Sequence, residues 1–239
     1  MAISYVDSTV AKAQAVTTLQ ATSPTGTATD DLVVLAHHGS NQSSNTASWS
    51  ATSYTGWTIA EDIVEASMVT RILFRVLDGS GNDAFPTVDS PLAVHRLVTA
   101  ATYRGVNPTA PFIAESGIAH TAAASATTAT PSANNTDAAA WAVVAAGARQ
   151  VATTLNFTPP AGLTERQDDQ LALGTTNNAA AGWFDSAGVI ATGTTTYTIT
   201  HQSTAQATVW QGILNPAAAA AKAPPVASPY RARLHLLVR

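Results

Sequence analysis

Residues 92–108 read LAVHRLVTAATYRGVNP, and this stretch decides the fold. Small and β-branched residues lead to an aromatic residue, a glycine and an Asn-Pro pair that ends the segment. Residues 207–216, ATVWQGILNP, have the same layout. β-branched and aromatic residues favour strands, and proline ends a strand ladder because it has no N–H to donate. The two segments therefore predict two strands that each close one half of the chain.

The rest of the sequence supports a duplication with a period close to the spacing of the two closing prolines. These prolines are 108 residues apart, and the aspartates Asp30 and Asp137 are 107 apart. Short apolar runs alternate with clusters of turn residues, and no amphipathic helix of three turns is evident. We therefore predict an all-β, jelly-roll-like β-sandwich built from two pseudo-repeated halves, residues 1–108 and 109–216, as one sandwich or two tightly packed ones.

Alternation within individual runs predicts which side chains are buried. The run LVVLA at residues 32–36 predicts a short buried strand that ends at His37 and His38. The run RILFRVL, residues 71–77, places Ile72, Phe74 and Val76 on one face and both arginines, Arg71 and Arg75, on the other. Since side chains alternate between the faces of a strand, this pattern predicts a sheet with one face exposed to water.

The composition excludes several classes of function. Charged residues make up 11% of the chain, against roughly a quarter in ordinary globular proteins. A surface of Thr, Ser, Asn and Gln suits an extracellular or assembled particle. The net charge of −4 argues against nucleic-acid binding, which needs a basic surface. The absence of cysteine excludes disulfides, thiolate metal sites and cysteine nucleophiles.

Neither targeting nor membrane insertion is predicted. The start, MAISYVDSTVAKA, lacks the basic and apolar regions of a signal peptide. The longest apolar run, residues 138–148, is too short and too rich in alanine to span a bilayer. We expect a protein made in the cytoplasm that is not exported by a classical route and does not bind a membrane.

No pattern of titratable residues predicts catalysis or metal binding. The adjacent pairs point to opposite faces if they lie on strands, so neither the histidines nor the carboxylates can readily act on one atom. We therefore predict a protein that is not an enzyme and has no catalytic residues, cofactor or metal. The pairs considered are His37-His38, Glu61-Asp62 and Asp168-Asp169.

The tryptophans and tyrosines raise the alternative of carbohydrate binding, because aromatic rings stack on sugar rings. Trp57, Trp183 and Trp210 lie within apolar strands and are predicted to be core residues. Trp49 and Tyr54 lie in the polar segment 40–55, where exposure is expected. If the protein contacts a host-surface glycan, these two residues are the predicted contacts.

The chain changes character after the second closing proline. Residues 217–229 are rich in alanine and proline and predict an extended, semi-rigid linker. Residues 230–239, YRARLHLLVR, alternate apolar and basic side chains. Such a segment can pair with the exposed edge of a neighbouring sheet and bury its apolar face there. We predict an anchoring arm with these partner-binding residues: Tyr230, Arg231, Arg233, Leu234, Leu236 and Arg239.

Two short motifs resemble those of a known group of proteins. Residues 101–106, ATYRGV, and 159–166, PPAGLTER, are similar to motifs of the Ala/Thr/Gly-rich duplicated β-sandwich proteins found among the virion proteins of tailed bacteriophages, especially those of actinobacterial hosts. The group often has AYRGV in the first position, whereas Thr102 precedes the tyrosine here. The first-half counterpart of PPAG also departs from the pattern, since residues 53–56 read SYTG.

The resemblance implies a structural component of the virion, either a capsid decoration protein or an accessory minor tail protein. It implies a location on the surface of the particle, contacts with major capsid or tail subunits, and a homo-oligomer, with a trimer expected by analogy. It implies no catalytic residues. The alternative, a carbohydrate-binding module that contacts the host surface, remains open at this stage.

Overall fold

The computed structural model describes residues 1–40, 49, 51–65, 68–79, 84–120, 127–150, 156–171, 178–201 and 206–218. These residues form fifteen strands and no helix, so the predicted all-β fold is confirmed. None of them belongs to a helix long and apolar enough to cross a membrane. The strands are β1 (Ser4–Gln20), β2 (Leu32–Ser40), β3 (Thr58–Glu65), β4 (Met68–Val76), β5 (Thr87–Arg104), β6 (Phe112–His120), β7 (Thr127–Ala129), β8 (Ala133–Asn135), β9 (Trp141–Gln150), β10 (Phe157–Thr158), β11 (Thr164–Leu171), β12 (Asn178–Asp185), β13 (Gly193–Thr195), β14 (Thr198–His201) and β15 (Gln206–Leu214).

Ten of the strands form two large sheets, one from each half of the chain. The first sheet has the order β1-β5-β2-β4-β3, and the second has the order β11-β12-β9-β15-β6. Starting from β6, the second sheet places its five strands in the same sequence-relative order as the first. The descent of both halves from one duplicated unit stays a prediction. No strand of one half enters the large sheet of the other among the described residues, so the jelly-roll path is not confirmed.

The two large sheets pack face to face and share one apolar layer, which we call the central layer. Each fully buried large side chain contributes about 1.5–3 kcal/mol to the stability of a fold. Because both halves supply such side chains to the central layer, each half stabilises the other. Its large members include Leu32, Val34, Ile72 and Tyr103 from the first sheet, and Val143, Trp183, Trp210 and Leu214 from the second.

The outer faces of both large sheets are covered as well. In the first sheet, β1 and β5 are 17 and 18 residues long, and their pairing has irregular register around Val16. The early part of β5 reaches the outer face, where Val88 packs in one cluster with Leu35 and Leu73. In the second sheet, Phe157 from the small sheet β10-β14-β7 joins the outer cluster. The molecule therefore has three apolar layers rather than one.

Two sequence-based predictions are wrong. Arg71 and Arg75 were predicted to face water, but they are only 4% and 8% exposed. They lie under the covered outer face of the first sheet. The buried strand was predicted to end at His37 and His38, yet β2 continues to Ser40 and both histidines are buried.

The two Asn-Pro stops meet at one end of the sandwich, which we call the terminal end. The amide of Asn107 donates to the carbonyl of Asn215 at 2.8 Å, and the amide of Ala217 donates to the carbonyl of Gly105 at 2.8 Å. The amino group of Met1 donates to the carbonyl of Ala217 at 2.8 Å. Hydrogen bonds therefore join both halves and the N-terminus here. The opposite end, where β2 ends and β15 begins, is the distal end.

A buried polar network also joins the two sheets near the terminal end. Trp183 Nε1 donates to Tyr103 Oη at 2.8 Å, and Tyr103 Oη donates to Asp185 Oδ2 at 3.1 Å. Arg166 donates from Nε and Nη2 to the two oxygens of Asp185 at 2.8 and 2.9 Å. Asp185 is fully buried, and its two hydrogen bonds from Arg166 compensate the charge of its carboxylate. Burial and the Asp185 carboxylate raise the pKa of Tyr103 well above its ordinary value, so the phenol stays protonated as a donor.

We expect Tyr103→Phe to lower the free energy of unfolding by about 1–3 kcal/mol, because it leaves the buried Trp183 N–H without an acceptor. Urea denaturation at neutral pH measures the change. Tyr197→Phe is the control, since its partly buried ring packs on the outer cluster of the second half and a change near zero is expected there. Equal stability of the Tyr103→Phe variant and the wild type would contradict the role given to this hydroxyl.

Candidate functional site

The candidate site is a group of cationic and aromatic side chains on the outer face of the first sheet. His37 on β2 lies opposite Arg71 on β4, which places both side chains on this face. Arg96 on β5 is paired with Gly39 of β2, two residues along from His37 on the same face. Trp49 and Tyr54, from the segment between β2 and β3, lie over these side chains. We call His37, Trp49, Tyr54, Arg71 and Arg96 the arginine–tryptophan cluster.

Arg71 has a complete set of partners. Its Nε and Nη2 donate to the two oxygens of Asp62, each at 2.6 Å. Its Nη1 donates to the carbonyl of Ala51 at 2.5 Å and to Tyr54 Oη at 3.1 Å. Burial lowers the pKa of Arg71, but the hydrogen bonds to Asp62 and Tyr54 outweigh burial, and the net shift is upward. The charge of Arg71 is therefore balanced by Asp62.

Trp49 is the centre of the cluster. The guanidinium carbons of Arg71 and Arg96 lie over its ring, 5.5 and 5.4 Å from the centroid. The ring of His37 meets it edge-on, with centroids 6.4 Å apart. Arg71 also lies over the ring of Tyr54 at 5.7 Å. Both aromatic residues are partly buried rather than freely exposed.

These contacts bear on the predicted glycan contacts. A sugar that stacked on Trp49 would have to compete with two guanidinium groups for the same ring. Tyr54 is held by its hydrogen bond from Arg71. The structure brings the two predicted residues together, but in contact with cations. Glycan binding by Trp49 and Tyr54 stays a prediction.

The two histidines lie on opposite faces of β2, as the sequence predicts for adjacent strand residues. His38 faces the central layer, where its Nδ1 is 2.6 Å from Thr70 Oγ1. Thr70 Oγ1 is in turn 2.5 Å from Thr208 Oγ1 on the second sheet. Burial lowers the pKa of His38 to about 3, so this ring is neutral at physiological pH. The contacts of His38, Thr70 and Thr208 join the two sheets near the distal end. Because His37 and His38 lie on opposite faces of β2, the two rings cannot bind the same ion.

The carboxylate pairs diverge in the same way. Asp169 accepts a hydrogen bond from Lys12 Nζ at 2.6 Å across the two sheets. Asp168 points to the other face and accepts from the amide of Phe157 at 3.1 Å. Among the described residues, no group of three or more histidine, aspartate or glutamate side chains could hold a metal ion. In the other pair, Glu61 lies opposite Ile72 and Asp62 opposite Arg71.

Asp168 yields a test of pH dependence. Burial, reinforced by Glu165 and Asp169, raises the pKa of Asp168 to about 6. A raised pKa means that the native state keeps its proton while the unfolded state loses it. The stabilising effect of this proton is complete below the unfolded pKa and is lost as the pH rises through about 6.

We expect Asp168→Asn to raise the free energy of unfolding by about 1–2 kcal/mol at pH 8 and to leave it unchanged near pH 3.5. Urea denaturation at the two pH values measures this difference. Asp169→Asn is the matched control on the same strand. It removes a partly exposed ion pair and should lower stability by about 0–1 kcal/mol at pH 8. An Asp168→Asn variant without added stability at pH 8 would show that the carboxylate is not strained there.

The predicted C-terminal arm is not part of the arginine–tryptophan cluster. Its binding role stays a prediction. The residues concerned, Tyr230, Arg231, Arg233, Leu234, Leu236 and Arg239, lie outside the described residues.

The sequence reasoning missed the burial of Arg71, Arg96 and His37, although a signal for the last two was present. Arg96 is in phase with Val94, Val98 and Ala100 along β5, and His37 is in phase with Leu35 along β2. A polar residue in phase with a buried apolar row is a candidate for burial.

Comparison with known proteins finds no matching family model, no matching curated protein and no matching solved structure.

Proposed function

We propose that this chain is a non-enzymatic structural protein of a tailed-bacteriophage virion, either a capsid decoration protein or an accessory minor tail protein. The observation that carries the proposal is the way the C-terminal segment leaves the sandwich. Ala217 is bonded to both Met1 and Gly105, so the last described residues before the predicted arm are held at a defined point of the terminal end. An arm joined to one fixed point of a sandwich suits a subunit that attaches to a larger particle.

The use of charge in the molecule supports the same proposal. The buried ion pair of Arg166 and Asp185 belongs to the network that reaches Tyr103 on the first sheet. The partly exposed ion pair of Lys12 and Asp169 joins the first sheet to the second. Buried Thr130 donates to Gln211 at 2.5 Å within the second half. These polar groups hold the sandwich together and are not gathered at a cleft. Such an arrangement suits a mechanical role better than a chemical one.

The proposed attachment is strand addition by the arm. An exposed sheet edge on a capsid or tail subunit offers unpaired backbone N–H and C=O groups, and an extended segment satisfies them by pairing. Tyr230, Leu234 and Leu236 would become buried at about 1.5–3 kcal/mol for each large side chain. Arg231 and Arg233 would meet acidic groups of the partner, which adds orientation more than affinity.

The proposed setting follows from this attachment. The protein is assembled in the host cytoplasm and exposed on the particle surface, in symmetric copies, as a homo-oligomer. Membrane and nucleic acid have no part in it. The carbohydrate-binding alternative is not advanced as a second function, because the Trp49 ring is in contact with two guanidiniums.

We expect mass spectrometry of purified virions to detect this chain as a stoichiometric component. A copy number comparable to that of the major capsid protein would indicate capsid decoration, whereas a much lower one would indicate the tail. Particles purified from an amber mutant in the coding sequence are the control. Absence of the chain from wild-type particles would refute the proposed function.

We expect deletion of residues 219–239 to leave a folded, soluble sandwich that no longer associates with particles. The deletion starts after Ala217, because its carbonyl and amide belong to the sandwich. Incorporation into particles assembled without the native protein, followed by immunoblotting, measures the effect. Leu234→Ser with Leu236→Ser should reduce incorporation in the same way, while Lys222→Gln in the linker should not. Wild-type occupancy of the truncated protein would disprove the arm as anchor.

A further inference from the structure

Arg96 is buried and forms no ion pair with another described residue. It is 1% exposed, and its Nε and Nη1 donate only to backbone carbonyls, those of Val16 at 3.3 Å and Val88 at 2.8 Å. Burial lowers the pKa of Arg96 to about 10, and the more distant carboxylate of Asp89 opposes this effect only in part. The side chain remains cationic at neutral pH.

Three nitrogen atoms of this cluster are buried and have no hydrogen-bond partner in the part of the chain that the structure describes. They are Arg96 Nη2, His37 Nε2 and Trp49 Nε1. Guanidinium and indole N–H groups can only donate, and His37 Nε2 donates when it carries the ring proton. Buried donors are almost always paired in native proteins, because an unpaired one loses the free energy of its hydration. The chemical complement of these donors is a hydrogen-bond acceptor.

Trp49 is in contact with both of the other side chains. The Trp49 ring has the Arg96 guanidinium over it at 5.4 Å and the His37 ring against it at 6.4 Å. The second cation, Arg71, is neutralised by Asp62 through two hydrogen bonds of 2.6 Å. Arg96 thus carries a positive charge that no ion pair among the described residues neutralises, beside three nitrogen atoms without acceptors there. The chemical complement of such a place is an anion.

We propose that Arg96, His37 and Trp49 form a binding site for a small inorganic anion, such as sulfate or chloride. The anion accepts hydrogen bonds from Arg96 Nη2, His37 Nε2 and Trp49 Nε1 and neutralises Arg96. A free inorganic ion fits better than the acidic group of a sugar, because all three donor atoms are covered. This site does not depend on the proposed role in a virion.

Thermal unfolding tests the site. Sulfate or chloride replaces gluconate, an anion too bulky for a covered site, at constant ionic strength. We expect a saturable rise in Tm of about 5 °C or more at a hundredfold excess of anion over its Kd. Arg96→Gln should abolish the saturable part, and Lys12→Gln, which alters a partly exposed ion pair, should retain it. A rise that is linear in sulfate and equal in both variants would overturn the proposal.

Two further measurements do not require the variant to fold. Crystals of the wild-type protein soaked in bromide or selenate should show anomalous density between Arg96 and His37. Soaked crystals with density at other places and none at this cluster would refute the site. Glucuronate forms the last arm of the Tm experiment. A saturable rise with glucuronate equal to that with sulfate would identify an acidic sugar as ligand and overturn the assignment to an inorganic ion.

Discussion

The whole structure depends on the apolar layer that the two large sheets bury against each other. Each sheet presents a row of large side chains, such as Ile72 on one and Trp210 on the other, that its own half cannot cover on that face. Association of the two halves within one chain removes this surface from water. The outer clusters then hold elements that would be marginal alone, such as the two-residue strand β10. Loss of the central layer would therefore expose both halves together.

Apolar packing alone does not align two sheets, because it is not directional. The alignment comes from polar groups buried at both ends of the central layer. The Asp185 network joins the sheets at the terminal end, and the chain of His38, Thr70 and Thr208 joins them toward the distal end. A shift of one sheet along the other would leave these groups unpaired in an apolar environment, which is unfavourable. The polar contacts thus select one arrangement among many that would bury similar area.

The strands and most of their positions follow from the sequence because alternation and turn residues are local signals. The buried tryptophans Trp57, Trp183 and Trp210 follow for the same reason. The burial of Arg71 could not be inferred from its own strand, since its cover comes from Trp49 and Tyr54 in the segment between β2 and β3. The cross-sheet network was equally hidden, because Tyr103 and Asp185 are 82 positions apart. Trp49 and Tyr54 were identified from composition, whereas their cationic neighbours depend on tertiary packing.

The contact of Met1 with Ala217 gives the polypeptide of the sandwich the form of a nearly closed ring. A short peptide linker could join these two positions with little distortion, so the fold is suited to circular permutation. The same geometry matters for fusion proteins. Cargo joined to Met1 would emerge at the terminal end, beside Ala217. Cargo inserted at the distal end would lie at the other end of the sandwich from Met1 and Ala217, which makes that end the better position for displaying a foreign sequence.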